Sequence, residues 1–269
     1  MNPFPLIAVD VGNNRTKLGL FPEAPGSAFP EPSQTLTIGS PEAHLDQIGS
    51  WIDAGPCGTL SWWIASVNRP AVTRLGDWLQ ENRPAEPVTM LAAGHLPLEV
   101  AVERPDVVGV DRLLDALAAN RLRRPGRPAI VVDVGTAITV DLVSAHGAFL
   151  GGAILPGLAM SARAMHAFTD LLPLIDASEL AAPPPPLGTA TVPAMHAGLF
   201  WGAVGAIREL TARLVPSPAD APDVFLTGGA GPAVAELLGP NARHIPHLTL
   251  AGIALAASAR DPRMGGMWH

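Results

Sequence analysis

The chain has no tyrosine in 269 residues, a single cysteine at Cys57, and a single lysine at Lys17 against 16 arginines. One cysteine excludes an internal disulfide and suits a reducing compartment, so a cytoplasmic location is expected. The shortage of cations, at a net charge of −7, excludes a binder of nucleic-acid backbones, which needs clustered Lys and Arg. Small phosphorylated ligands stay open, because local loops bind phosphate on an acidic protein. No basic stretch followed by a long apolar run opens the sequence, so no signal peptide is expected. The greasiest stretches, 149–156 and 194–207, are too short or too glycine-broken to span a bilayer, and no membrane partner is expected. Also missing are a Walker A loop, a Rossmann glycine fingerprint, a Gly-x-Ser-x-Gly elbow and a Cys/His metal cluster. The missing tyrosine and the Arg excess, beside abundant Ala and Pro, read as drift of the whole composition.

What is present is a globular chain, 48% hydrophobic and 15% charged, long enough for one large domain or two of about 130 residues. It contains an internal repeat. Residues 7–20 read IAVDVGNNRTKLGL and residues 131–143 read VVDVGTAITVDLV. Aligned on the aspartates, Asp10 meets Asp133, Gly12 meets Gly135 and Thr16 meets Thr139. Each copy is an apolar strand, an Asp-x-Gly turn and a second strand, the pattern of a β-hairpin. The reading is a duplicated α/β domain, 1–122 and 123–269, joined at the basic, proline-bearing segment 121–128. Further strands are expected at 60–66, 87–90, 98–102, 148–155 and 223–226. Helices are expected at 41–54, 70–82, 107–122, 158–169, 192–215, 232–238 and 248–259, with a stiff loop at 183–186 and a frayed tail at 261–269.

Four segments could carry chemistry. In Asp10-Val11-Gly12-Asn13-Asn14-Arg15-Thr16-Lys17 the glycine permits a sharp turn that brings amides to an anion. Asp10 stands where it could hold a hydrated Mg²⁺ against ATP phosphates, and Lys17 where it could meet them as a point charge. The alternative is an ordinary hairpin with a solvated lysine. In the second hairpin Gly135 and Thr136 offer an amide and a hydroxyl, so that a cleft between two such turns could grip a triphosphate. Asp133 could hold a cation there, or cap local amides; Asp141 is read as structural or accessory. In Gly109-Val110-Asp111-Arg112, at a helix start, Asp111 could accept a hydroxyl proton and Arg112 orient an acceptor carboxylate. Helix capping with a surface ion pair would leave the same residues. The glycine pairs Gly151-Gly152 and Gly228-Gly229 admit either a flat ligand or a close backbone.

In order, Asp-x-Gly-Asn, Gly-x-Asp-Arg, Asp-x-Gly-Thr-Ala-x-Thr, Leu-Gly-Gly-Ala-Ile-x-Pro-Gly and a late Thr-Gly-Gly make the chain resemble a type III pantothenate kinase over nearly its whole length. The resemblance implies duplicated actin-like (ribonuclease H-like) domains of the acetate/sugar kinase and actin superfamily, with mixed sheets and helices on both faces. It implies phosphotransfer from ATP to pantothenate, Mg²⁺ with the ATP, an activating K⁺ or NH₄⁺, and a homodimer with the acceptor site near the subunit interface. It further implies that Asp10 to Lys17 and Thr136 bind ATP, that Asp133 binds the monovalent cation, and that Gly109 to Arg112 contact pantothenate with Asp111 as base. Thr191 falls where the family has a threonine near the acceptor. The departures lie mainly on the acceptor side: Val102 stands where the family has a tyrosine, and Gly-Thr-Ala-Thr replaces Gly-Lys-Asn-Thr before and at Thr191. Asn14 replaces the usual Thr or Ser of the first loop. A kinase of this fold acting on another small hydroxyl compound, or a non-catalytic ATP-binding regulator, are the alternatives.

Overall fold

The computed structural model describes residues 3–40, 44–53, 59–215 and 221–259. The elements run β1 (Leu6–Val11), β2 (Arg15–Phe21), β3 (Gln34–Gly39), α1 (Asp46–Asp53), β4 (Ser61–Ser66), α2 (Arg69–Asn82), β5 (Val88–Met90) and α3 (Val110–Leu122). They continue β6 (Ala129–Val134), β7 (Ala137–Val143), β8 (Phe149–Pro156), α4 (Leu158–Ala167), α5 (Thr191–Leu214), β9 (Asp223–Thr227), α6 (Gly231–Leu238), β10 (Ala242–His244) and α7 (Leu248–Ala259). One sheet has the order β3-β2-β1-β4-β5 and the other β8-β7-β6-β9-β10. In each, three antiparallel strands are followed by two parallel ones. The duplication seen in the hairpins therefore extends to the entire topology, and the fold is a pair of actin-like α/β domains.

The chain forms two compact units. One comprises residues up to Leu98, Glu103–Leu122 and the segment from His247; the other comprises Glu99–Val102 and Arg123–Pro246. Two segments thus lie across a simple division at residue 122. The first is Glu99–Val102, within the strand expected at 98–102: it makes only an isolated bridge, Val100 to Phe149, beside edge strand β8. The second is α7, which is apolar on all faces and therefore needs burial on all of them; it packs on α3, β1, β2 and β4.

In the first unit Ile7, Val9, Val11, Leu18, Leu20, Trp62 and Ile64 turn to one sheet face and pack with α1 and α2. Strand alternation sends Asp10, Lys17 and Gly19 to the opposite face. There a Cβ on Gly19 would stand 3.0 Å from Leu250 of α7. Helices α3 and α7 are pinned together by a buried bond, Thr249 Oγ1 donating to Asp115 at 2.8 Å. Each Leu or Ile buried in such a core contributes about 1.5–3 kcal/mol. In the second unit Ile130, Val132, Val134, Ile138, Val140 and Leu226 form the core face under α4, α5 and α6. Asp133, Thr139 and Thr227, paired in register across β7, β6 and β9, share the opposite face.

The register corrects the repeat alignment. Asp10 pairs with Lys17, whereas Asp133 pairs with Thr139. The second turn is one residue shorter, so Thr139 takes the place of Lys17 rather than of Thr16. Two other expectations shift. The helix expected from 107 begins at Val110, after a separate 3₁₀ turn at Pro105–Val107. The helix expected at 41–54 spans Asp46–Asp53, while 41–43 and 54 lie outside the described residues, as do Cys57 and the tail 261–269. The segment 121–128 divides between the units: Arg121 and Leu122 end α3 in the first, with Arg121 Nη2 donating to the Gly26 carbonyl at 2.6 Å, and from Arg123 the chain belongs to the second, where the Arg124 amide and Nε donate to Asp223 at 2.6 and 2.8 Å. Burial pushes the Asp223 carboxyl up, but Arg124 outweighs it and holds the carboxyl below its ordinary range.

Candidate active site

The turn after β1 is held from three directions. The Gly12 amide donates to the Arg15 carbonyl at 3.0 Å, and the Ser40 amide donates to the Asn14 carbonyl at 3.0 Å. Asn68 Nδ2 donates to the carbonyls of Gly12 and Asn13 at 3.3 and 3.4 Å. The Asn13 and Asn14 amides donate to no acceptor among the described residues, and both residues are exposed. Successive exposed amides without acceptors are what an anion-binding turn offers. Thr16 supports the turn from within: its side chain is buried and shares a 2.9 Å hydrogen bond with Ser40 Oγ. Ser40 is fixed in turn by Arg74 Nη2, which donates to its carbonyl at 2.7 Å.

Ser40 and Asn68 were not among the residues expected from sequence. Asn68 had a signal, because it caps α2: its Oδ1 accepts from the Ala71 amide at 3.1 Å, with Pro70 in the first turn. An Asn followed by x-Pro reads as a helix start, but nothing in that pattern says that its amide group reaches a turn far away in sequence. Asn68→Ala is expected to lower stability by about 1 kcal/mol and to raise KM for ATP more than it lowers kcat. A denaturant melt and ATP saturation curves check both.

Asp10, half-buried, faces Lys17 across the hairpin. The same unit brings Asp111 to this end of the sheet, in the first turn of α3, close enough for the Lys17 ammonium to act on it. Asp111 Oδ1 accepts from the Arg112 amide at 2.9 Å. A Cβ on Gly109 would lie 2.5 Å from that oxygen, so any side chain at 109 would displace the carboxylate; this is why glycine stands two residues before it. Burial pushes the Asp111 carboxyl up, and burial outweighs the Arg112 amide, the Arg112 guanidinium and the Lys17 ammonium, which draw it down. A carboxylate above its ordinary range, beside cations, is suited to accept a proton from a hydroxyl near neutral pH. Asp10, Gly12, Asn13, Asn14, Lys17, Gly109, Val110, Asp111 and Arg112 thus belong to one unit.

Asp133, Thr136, Thr191 and Val102 belong to the other. The Thr136 carbonyl accepts from the Gly157 amide at 3.1 Å. Thr191 is the exposed first residue of α5. Val102 is half-buried, and its Cγ1 would stand 3.4 Å from a Cβ on Gly151. For Gly152 the close-backbone alternative holds: a Cβ there would lie 2.2 Å from the Val140 carbonyl of β7.

The family profile described as type III pantothenate kinase matches residues 6–213. A type III pantothenate kinase of Parafrankia sp. (strain EAN1pec) is 33% identical, over 93% of this chain and 96% of its own length. One from Anaeromyxobacter dehalogenans (strain 2CP-C) is 33% identical, over 93% of this chain and 97% of its own. Among solved structures, an archaeal actin homolog aligns over 96% of this chain and 100% of its own, with a TM-score of 0.51 and 13% identity. A glucokinase from an Antarctic psychrotroph aligns over 94% and 98%, with a TM-score of 0.50 and 11% identity. At these identities the two structures speak to the fold alone.

Proposed function

The chain belongs to the type III pantothenate kinase family, and on that premise we propose that it transfers the γ-phosphoryl group of ATP to the primary hydroxyl of pantothenate. The products are ADP and 4′-phosphopantothenate, in the first step of coenzyme A biosynthesis. The observation that carries the reading is the joint placement of a turn with exposed, acceptor-free amides, Lys17 and the raised carboxyl of Asp111 in one unit.

The turn from Asp10 to Lys17 binds the phosphates through the Asn13 and Asn14 amides and the lysine charge. Val11, Arg15 and Thr16 hold its shape from the flanking strands. Arg112 takes the pantothenate carboxylate, and Gly109 and Val110 let the acceptor approach. Asp111 accepts the hydroxyl proton as the hydroxyl oxygen attacks the γ-phosphorus, and the bond to the β-phosphate oxygen breaks. Mg²⁺ bound with ATP neutralises phosphate charge, and Asp10 would hold it through water. In the second unit Thr136 meets ATP, Asp133 holds the monovalent cation, and Thr191 and Val102 flank the acceptor.

Two further properties belong to the same reading. The enzyme works as a homodimer: the second unit exposes large apolar side chains, Ile154 on edge strand β8, Phe168, Leu171 and Leu187, at 63–87% of their surface, and a partner over the β8 edge would cover apolar surface of this kind. A monomeric mass in sedimentation at working concentration would remove this. It works in the cytoplasm, which supplies ATP and suits a chain with one cysteine. No helix among the described residues is long and apolar enough to cross a membrane.

The substitution at Val102 makes the acceptor the point to test. In a coupled ADP-release assay with Mg²⁺ and K⁺, pantothenate should turn over, and other small hydroxyl acids should not. Turnover of another acceptor with none of pantothenate would move the assignment to a different substrate of the same chemistry.

A further inference from the structure

Beside the second hairpin, on the neighbouring strand β9, stands a polar side chain that the proposed phosphotransfer does not use. Thr227 ends β9, is 2% exposed, and its Oγ1 has no hydrogen-bond partner among the described residues. A buried hydroxyl left unpaired costs about 1–3 kcal/mol, so a fold that retains one has a use for it. Its position points to the use. Thr227 pairs in parallel register with Asp133, which puts the two side chains side by side on the sheet face away from the core.

The next residue tightens the arrangement. Gly228 has φ +89°, and a Cβ there would lie 2.4 Å from Asp133 Oδ1 and 2.5 Å from the Val134 carbonyl. Only glycine fits both that conformation and that space. The Asp133 carboxylate therefore stands directly beside the Thr227–Gly228 backbone. Among the described residues no group of three His, Cys, Asp or Glu could hold a metal ion. With fewer than three such groups at hand, an ion beside Asp133 would be met largely by neutral oxygens, a donor set of low charge suited to a singly charged hard cation.

We infer that Thr227 Oγ1 is an oxygen ligand of the monovalent cation, working with Asp133. The inference rests on the reading of Asp133 as the cation residue and extends it to a residue which that reading does not include. The hydroxyl oxygen donates a lone pair to the cation and needs no deprotonation.

The test is the thermal midpoint of the full-length protein, titrated with potassium chloride against choline chloride at constant ionic strength. The wild type should show a potassium-specific rise, and Asp133→Asn should abolish it. Thr227→Val should shift the titration to about tenfold higher potassium, with a starting midpoint no lower than wild type because an unpaired buried hydroxyl is removed. Thr227→Ser should restore the wild-type response, and Thr227→Ala serves if the valine variant fails to fold. An unchanged response in Thr227→Val or Thr227→Ala, with Asp133→Asn unresponsive, overturns the role of Thr227 and leaves the Asp133 reading standing. No potassium-specific response in the wild type overturns both.

Discussion

Asp111→Asn is expected to lower kcat by about 10²- to 10⁴-fold, the range for removal of a general base, with KM for ATP nearly unchanged. Its stability should move the other way. Burial raises the Asp111 carboxyl above its ordinary value in the folded state, so the unfolded chain releases this proton more readily than the folded one. The stability linked to Asp111 is therefore full at low pH and is lost as pH rises through the folded-state value. An asparagine has no such penalty. The variant should accordingly melt higher than wild type at neutral and alkaline pH, with the difference vanishing in acid. A residue that merely capped α3 would give the opposite: lower melting and a modest change in rate. Steady-state kinetics and melts across pH, on the same preparations, separate the two.

Lys17→Met is the second large effect. Hydrogen bonds to charged groups contribute about 1.5–3 kcal/mol, so loss of the only lysine should lower kcat/KM for ATP by roughly 10- to 150-fold. It should also leave a signature in pH. Lys17 draws the Asp111 carboxyl down; without that charge the carboxyl rises further, and the acidic limb of the rate profile moves to higher pH. Lys17→Arg keeps the charge, so its limb should stay near the wild-type position even if the rate falls through poorer fit. A lysine that is only a solvated surface group would leave both the ATP dependence and the limb unmoved.

These predictions depend on features of unequal legibility in the sequence. The hairpins were readable because their information is local: alternating apolar residues, an Asp-x-Gly turn, and the same string twice. The long helix α5 and the all-apolar α7 were readable from length and composition. Strand β3 was not, because it lies at a sheet edge with Ile38 as its only buried residue; its place is set by main-chain pairing with β2. Strand β10 is three residues long, too short for any periodicity to register.

The site shows the same division. Asp10, Lys17 and Asp111 could be named from motifs, but their meeting depends on α3 packing over the far face of the first sheet. The support of the phosphate turn by Ser40 and Asn68 links residues that no local pattern connects. The turn of the second hairpin is one residue shorter than that of the first, and matching strings hid this because the match continued past the missing residue. Thr227 is the plainest case: within a strand it looks like an ordinary β-former. Only the register that sets it beside Asp133, and the absence of a bonding partner among the described residues, mark it out.

The central claim is that this chain moves a phosphoryl group from ATP to pantothenate with Asp111 as the base. Mass spectrometry of a reaction holding the full-length protein, ATP, Mg²⁺, K⁺ and pantothenate tests it most directly, with Asp111→Asn run in parallel. The wild type should form phosphopantothenate in amounts equal to the ADP released, and the variant almost none. ADP without phosphopantothenate, or product from Asp111→Asn at the wild-type rate, would contradict it.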